Sequence, residues 1–363
     1  MQAGTGAGNG SAHKAHGALR AHRSNDVVAH ASSLSSWQQQ YDQLNGGTFR
    51  GSLDELWFED VQIFQERTSH AVRQICRIRE DAVWCGVTVK HDGSRIEGAE
   101  LGRDGVMVCG ESAEFELLTP DGHEIFGIVV SRNALLKHAD AVGVPLDPGL
   151  LGHATWLPCE TEFQSRLRNC LGFLLHQAPM NSALGCGPAA GLSAAGVQDG
   201  ERAQRRAQQA ALDALLEVLR PRAHLGDHPT ERAGFGRRRQ LVRRVCAHVQ
   251  ASTLEVPTVP DLCAAFHVSR RTLQYAFEEV VGSSPVVYLR RLRLNAVYRD
   301  VIAGTAWTVQ DAAAGHGFWS LSQFASDYRR LFGERPSETL MRARAAPQTN
   351  PPSIGAVPQA RRR

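Results

Sequence analysis

The C-terminal third of the chain repeats itself. Thr258-Val259-x-Asp261 returns fifty residues later as Thr308-Val309-x-Asp311, and past one inserted residue the match continues at an offset of fifty-one. Leu273 then pairs with Phe324, Phe277 with Tyr328, Gly282 with Gly333, Pro285 with Pro336 and Leu289 with Leu340. A chain that carries one supersecondary unit twice must fold both copies alike, so each constrains the reading of the other.

Each copy reads as helix, tight turn, helix. In the first, residues 261–266 form a short helix, His267-Val268 the turn, and Ser269 an N-cap whose hydroxyl can accept a free first-turn N–H. Leu273, Phe277 and Val280 share one face at helical spacing and pack inward, which turns Arg270, Arg271, Gln274 and Tyr275 outward near the helix start. A helix that enters the DNA major groove presents its N-terminal side chains to base edges. Arg can bond guanine bidentately and Gln can do the same for adenine. In the second copy Ser320 is the expected cap after Gly317-Phe318-Trp319, with Phe324, Tyr328 and Leu331 inward and Leu321, Ser322, Gln323 and Ser326 outward. This set is poor in charged donors, so apolar thymine contacts, bridging water and DNA shape are expected to matter more there. Residues 286–302 read as a helix linking the units. Arg290, Arg291 and Arg293 on it fit phosphate contact and a solvated face equally well.

Charge is segregated along the chain. The formal net charge is only +3, but residues 1–236 carry −7 and residues 237–344 carry +7, with Arg361, Arg362 and Arg363 adding the rest. A basic module that also carries a groove-binding fold is the electrostatic footprint of phosphate binding. The opposed charges further predict that the acidic part docks on the basic part and competes with DNA for it.

Upstream the pattern changes. Residues 1–34 are rich in Gly, Ala, His and Ser and read as a disordered tail, in which His13, His16, His22 and His30 lack a frame for a metal. A short helix is expected from Ser35 through Trp37 to Leu44. Residues 53–130 hold short β-type runs at 56–58, 61–64, 83–89 and 125–130, broken by turns, which predict a small barrel or sandwich. Residues 133–142, 160–177 and 201–219 are helical by spacing. The fold class is therefore α+β: a small β-barrel or sandwich-like sensor with flanking helices, then an all-α domain with two helix-turn-helix units. The expected boundaries are a tail over 1–34, a sensing domain over 35–220 with a loop at 182–200, and a linker over 221–236. The helix-turn-helix domain follows at 237–344 and a tail at 345–363.

The eight cysteines form no C-x-x-C pair, and no apolar stretch approaches membrane-spanning length, so a reduced, cytoplasmic setting is expected. The chain shows no phosphate loop, nucleophile elbow or His-x-His metal motif, which argues against an enzyme and against a bound metal.

The strings VSRRTLQYAF at 268–277, LRRLRLNAV at 289–297 and GFWSLSQFASDYRRLFGERPSE at 317–338 resemble the AraC family of DNA-binding regulators. Within it, Val259-x-Asp261-Leu262-Cys263, Trp37-Gln38-Gln39-x-Tyr41 and Glu114-Phe115-Glu116-Leu117 are similar to regulators of ethanolamine-utilisation operons. That likeness implies a positive regulator answering to ethanolamine with adenosylcobalamin, with promoter DNA and RNA polymerase as partners and a homodimer left open. A regulator of another catabolic operon with a different small effector is the alternative. A corrin-binding Asp-x-His-x-x-Gly is only echoed by Asp121-x-His123-x-x-Phe126, where Phe replaces the needed Gly, so His123 reads as a turn residue. For the effector, Trp84 and Glu116 are the candidate pair, since an aromatic face and a carboxylate together suit an ammonium.

Overall fold

The computed structural model describes residues 19–345 apart from 91–92, 103–104, 111–113, 148, 150–153, 183–193, 221–232 and 253–255. The N-terminal part runs β1 (Leu19–Ser24), α1 (Val27–Ala31), β2 (Gln38–Gln43), β3 (Gly51–Trp57), β4 (Val61–Thr68), β5 (Val72–Arg77), β6 (Ala82–Thr88), β7 (Arg95–Ile96) and β8 (Ala99–Glu100). It continues through β9 (Gly105–Gly110), β10 (Glu114–Thr119), β11 (His123–Ser131), α2 (Arg132–Val142), β12 (Thr155–Pro158), α3 (Thr161–Ser182) and α4 (Ala194–Leu219). The C-terminal part is helical: α5 (Ala233–Ala251), α6 (Val259–Ala265), α7 (Arg270–Val281), α8 (Pro285–Ala303), α9 (Val309–Gly315), α10 (Leu321–Phe332) and α11 (Pro336–Ala345).

Two antiparallel sheets face each other. One has the order β1-β3-β4-β11-β6-β9-β12 and the other β2-β5-β10-β7-β8. Alternation along each strand sends one set of side chains between the sheets, where Phe64, Trp84, Met107, Phe115, Leu117 and Ile125 form an apolar layer. The other face of the larger sheet sends Ile63, Val83, Cys85, Val108, Ile128 and Val130 against Leu135, Leu167, Leu171, Leu215 and Leu216 of α2, α3 and α4. The order is thus helices, large sheet, small sheet, and the outer face of the small sheet carries the helical part. The α+β class stands as read from the sequence, with two open sheets facing each other in place of a closed barrel.

Three local expectations change. Residues 19–31, taken for tail, form β1 and α1. Asp26 caps α1 by accepting from the Val28 and Ala29 backbone at 2.8 and 2.9 Å, and the low-complexity surroundings hid that signal. Residues 38–43, taken for helix, form an edge strand instead, because pairing with β5 from Gln38↔Arg77 to Gln43↔Val72 overrides local propensity. His30 is not a tail residue but is fully buried, with Nε2 3.0 Å from the Glu66 carboxylate. The loop expected at 182–200 lies outside the described residues over 183–193, while Ser182 ends α3 and 194–200 are helical, forming the start of α4. The expected linker lies outside them over 221–232, while 233–236 begin α5.

Candidate nucleic-acid interface

The repeated Thr-Val-x-Asp is a helix-start device. The Thr258 and Thr308 hydroxyls accept from the Asp261 and Asp311 backbone N–H at 3.4 and 3.0 Å. The Asp261 carboxylate in turn accepts from the Thr258 hydroxyl at 2.6 Å and from the Thr258 backbone at 2.8 Å, and these two bonds, the hydroxyl's first, hold Asp261 below the usual carboxylate range. Both short helices end in a left-handed turn residue, His267 at φ 52° and Gly317 at φ 70°. At Gly317 a β-carbon would also lie 1.9 Å from Val256, so the second turn is built for glycine.

The second helices then diverge in their caps. Ser269 accepts from the Thr272 backbone at 3.0 Å. Ser320 occupies the same place but makes no side-chain cap bond; its hydroxyl is 3.4 Å from that of Ser322, so the expected cap is absent. Leu273, Ala276, Phe277 and Val280 are buried on α7, and Phe324, Tyr328, Leu331 and Phe332 on α10.

What the burial leaves outside is the predicted set. Arg270, Arg271 and Tyr275 are exposed and Gln274 is half-buried on α7, while Ser320, Leu321, Ser322, Gln323 and Ser326 are exposed at α10. Arg271 donates to the Tyr275 hydroxyl at 3.1 Å with its guanidinium 5.2 Å over the ring. Gln274 donates to Glu278 at 2.7 Å and Gln323 to Asp327 at 3.1 Å. These local bonds hold the side chains ready and must be exchanged for any base contact.

Two of the linker-helix arginines serve the fold. Arg293 forks onto the turn, with Nε to the His316 carbonyl and Nη2 to the Gly317 carbonyl at 2.9 Å each, and lies 4.4 Å over the Phe318 ring. Burial, with Arg290 close by, pushes its pKa down to about 10. Arg290 donates to Asp327 on α10 at 2.7 Å. The two open readings, phosphate contact or a solvated face, therefore give way for these arginines to bracing of the second turn. The signal available was a cation placed one helix away from exposed turn carbonyls.

The acidic part does dock on the basic part. Asp42 on β2 is fully buried between Arg73 (3.1 Å) and Arg299 of α8, Glu97 pairs with Arg243 at 3.4 Å, and Asp26 accepts from Tyr298 and Arg342 at 2.7 and 2.8 Å. Asn295 in mid-helix donates to the Gln43 carbonyl at 2.9 Å and accepts from the Gln43 N–H at 2.8 Å. Docking covers α8 and leaves the outward faces of α7 and α10 open, so in this arrangement it does not mask them.

The effector candidates are split by the sheet. Trp84 is buried in the inter-sheet layer, stacked on Phe115 at 5.0 Å with Trp37 edge-on at 5.8 Å. Glu116, next along β10 from Phe115, points to the opposite face and accepts from Arg73 at 2.6 Å beside α5 and α8. Strand alternation prevents the two from forming one site. His123 is buried at the start of β11 beside Ser94 rather than in a turn. Among the described residues no cluster could hold a metal ion, and no helix is long and apolar enough to cross a membrane.

Two capped helix-turn-helix units braced on one connecting helix define a DNA-binding transcription regulator. A helix-turn-helix domain family matches residues 262–342. The XylDLEGF operon transcriptional activator 2 of Pseudomonas putida is 30% identical over 111 residues, covering 30% of this chain and 71% of that protein. The regulatory protein HrpB of Ralstonia nicotianae is 33% identical over 106 residues, 29% of this chain, and the match spans only 22% of HrpB's own length. A probable AraC family transcriptional regulator from Rhodopseudomonas palustris, known by its crystal structure, is 38% identical over 29% of this chain and 97% of its own, with a TM-score of 0.27. The chain belongs to the AraC family of transcription regulators, a family of regulators and not of enzymes.

Proposed function

We propose that the chain activates transcription from promoters it reads with two successive recognition helices, α7 and α10, under control of a small molecule sensed by the β-sandwich. The observation that carries the DNA reading is the paired exposure. Each second helix buries one complete apolar stripe and turns its early polar residues to solvent, as a helix that lies in the major groove requires. Arg271 and Gln274 supply base-edge contacts in the first unit. Activation is supported by relatives named as operon activators, and contact with RNA polymerase is the expected route.

For the effector, the likeness to ethanolamine-utilisation regulators makes ethanolamine, with or without adenosylcobalamin, the first compound to test. The inter-sheet layer gathers aromatic and carboxylate groups in one place, as the Trp84 and Glu116 pair does not, around a cavity of about 10 Å³ that must open to admit ethanolamine. Trp37, Trp84 and Phe115 present aromatic faces there, the Glu66 carboxylate lies in the same lining, and the Gln74 amide nitrogen makes no hydrogen bond. Relatives named for the xyl and thc operons favour, as the second reading, another catabolic operon with a different effector.

Binding of the full chain to its own promoter region, measured at two salt concentrations, tests the reading, because base-specific binding survives where phosphate-only binding fades. Arg271→Ala and Gln274→Ala should each weaken specific binding by about 1–3 kcal/mol and relax preference at one or two adjacent positions. Unchanged base preference in both variants overturns the assignment of α7. Ethanolamine should raise the melting temperature and shift promoter affinity; no change in either removes it as effector.

A further inference from the structure

The residue that breaks the repeat can be located. In the first turn Val268 is the half-buried anchor, and its N–H donates to the Cys263 carbonyl at 3.0 Å. In the second the same bond runs from Phe318 to Ala313 at 2.9 Å, and Phe318 is buried. The repeat is therefore still at an offset of fifty at Phe318. The extra residue is Trp319, between that anchor and Ser320, and 73% of it is exposed.

Packing does not call for an indole there. Phe318 fills the core against Phe324 at 5.1 Å and under Arg293, so the turn closes without Trp319. Leaving so large an apolar side chain in water gives up the stabilisation its burial would bring. Leu321, two residues on, is 43% exposed as well. The surroundings indicate what meets them. Leu321 borders an open groove along α10 with Ser326, Arg329, Arg330 and Arg335 on its walls and no acidic residue among its lining. Apolar groups at the start of a recognition helix, with cations along the groove at its far end, match DNA: cations for phosphate, apolar surface for the thymine methyl, which only the major groove displays.

We propose that Trp319 is a specificity-determining residue of the second unit, its indole packing with Leu321 on the 5-methyl group of a thymine at the start of the second half-site. This rests on the reading that α10 enters the major groove. It explains how a unit with few charged donors still discriminates bases.

The test uses the full chain with Trp319→Ala and Trp319→Phe, and promoter DNA in which thymines of the second half-site are replaced by uracil, which removes only the methyl. Since Phe318 holds the core, both variants should keep the wild-type melting temperature. Trp319→Ala should weaken binding about tenfold and abolish thymine preference at one position of that half-site, while Trp319→Phe keeps most of it. Uracil at that position should weaken the wild-type chain several-fold, on the order of the loss from Trp319→Ala, and leave Trp319→Ala unaffected. Wild-type affinity and preference in Trp319→Ala overturns the inference. So does intact DNA binding with lost activation, which would mean the indole meets a protein. Failure of the underlying reading looks different: no base preference in the wild-type chain and no effect of Gln274→Ala.

Discussion

The two helix-turn-helix units share a design and differ in what completes them. The first closes on the helical part, with Val242, Val245, Cys246 and Val249 of α5 packing on Leu262, Leu273, Phe277 and Leu292. The second closes on α8 and α11, with Leu340 packed on its core and the Tyr328 hydroxyl 3.0 Å from Thr339, but it also takes in side chains from outside the helical part. Val27, Ala31, Tyr41, Phe49 and Val72 of the N-terminal part lie in one cluster with Val297, Tyr298, Phe324, Tyr328 and Phe332. A motif doubled in sequence is thus not doubled in dependence: one unit takes only Leu44 from the N-terminal part, and the other shares a core with the sandwich. A change in the sandwich reaches the second recognition helix through packing, whereas it reaches the first through α8 and the ion pairs of Glu97.

The sharpest break of this comparison comes from Asp42→Ala. It removes a fully buried carboxylate from between Arg73 and Arg299 and leaves buried cations short of a partner, at a cost of about 3–5 kcal/mol to the full chain in urea unfolding. Hydrogen exchange should show protection falling more in α9, α10 and α11 than in α6 and α7; equal loss would mean that both units lean on the sandwich alike. Next, Asn295→Ala strips both bonds to the Gln43 backbone and strands a buried N–H and carbonyl, with an expected loss of about 2–3 kcal/mol. A loss within about 0.5 kcal/mol would show that water or a shift of α8 replaces the bond. The smallest effect separates the caps: Ser269→Ala should cost about 1 kcal/mol and Ser320→Ala less than about 0.5 kcal/mol, because only Ser269 accepts a first-turn N–H.

The helical part was readable because its information is local. Capping Thr-x-x-Asp, a left-handed turn residue and an apolar stripe fall within about twenty residues of one another, and the outward set from Arg270 to Ser326 follows from the stripe by geometry. What escaped reading is nonlocal. Gln38 to Gln43 carry a helix-compatible composition, and only β5, far along the chain, makes them a strand. Trp84 and Glu116 looked like one site, and only the register of β10 shows that a sheet lies between them. Asn295 did leave a trace, a lone amide among the apolar residues Leu292, Leu294, Val297 and Tyr298 that α8 buries, but its partner 252 residues away did not.

That amide has a consequence for the chain's solubility. β2 is the outermost strand of the smaller sheet, and its free backbone edge would invite another strand. By donating to the carbonyl and accepting from the N–H of one residue, Gln43, Asn295 supplies the bonds of a single ladder rung, so that a helix stands in for a neighbouring strand. The helical part therefore covers the Gln43 end of the sandwich's open edge. Wholesale undocking would leave the Gln43 N–H and carbonyl of that edge without their partner.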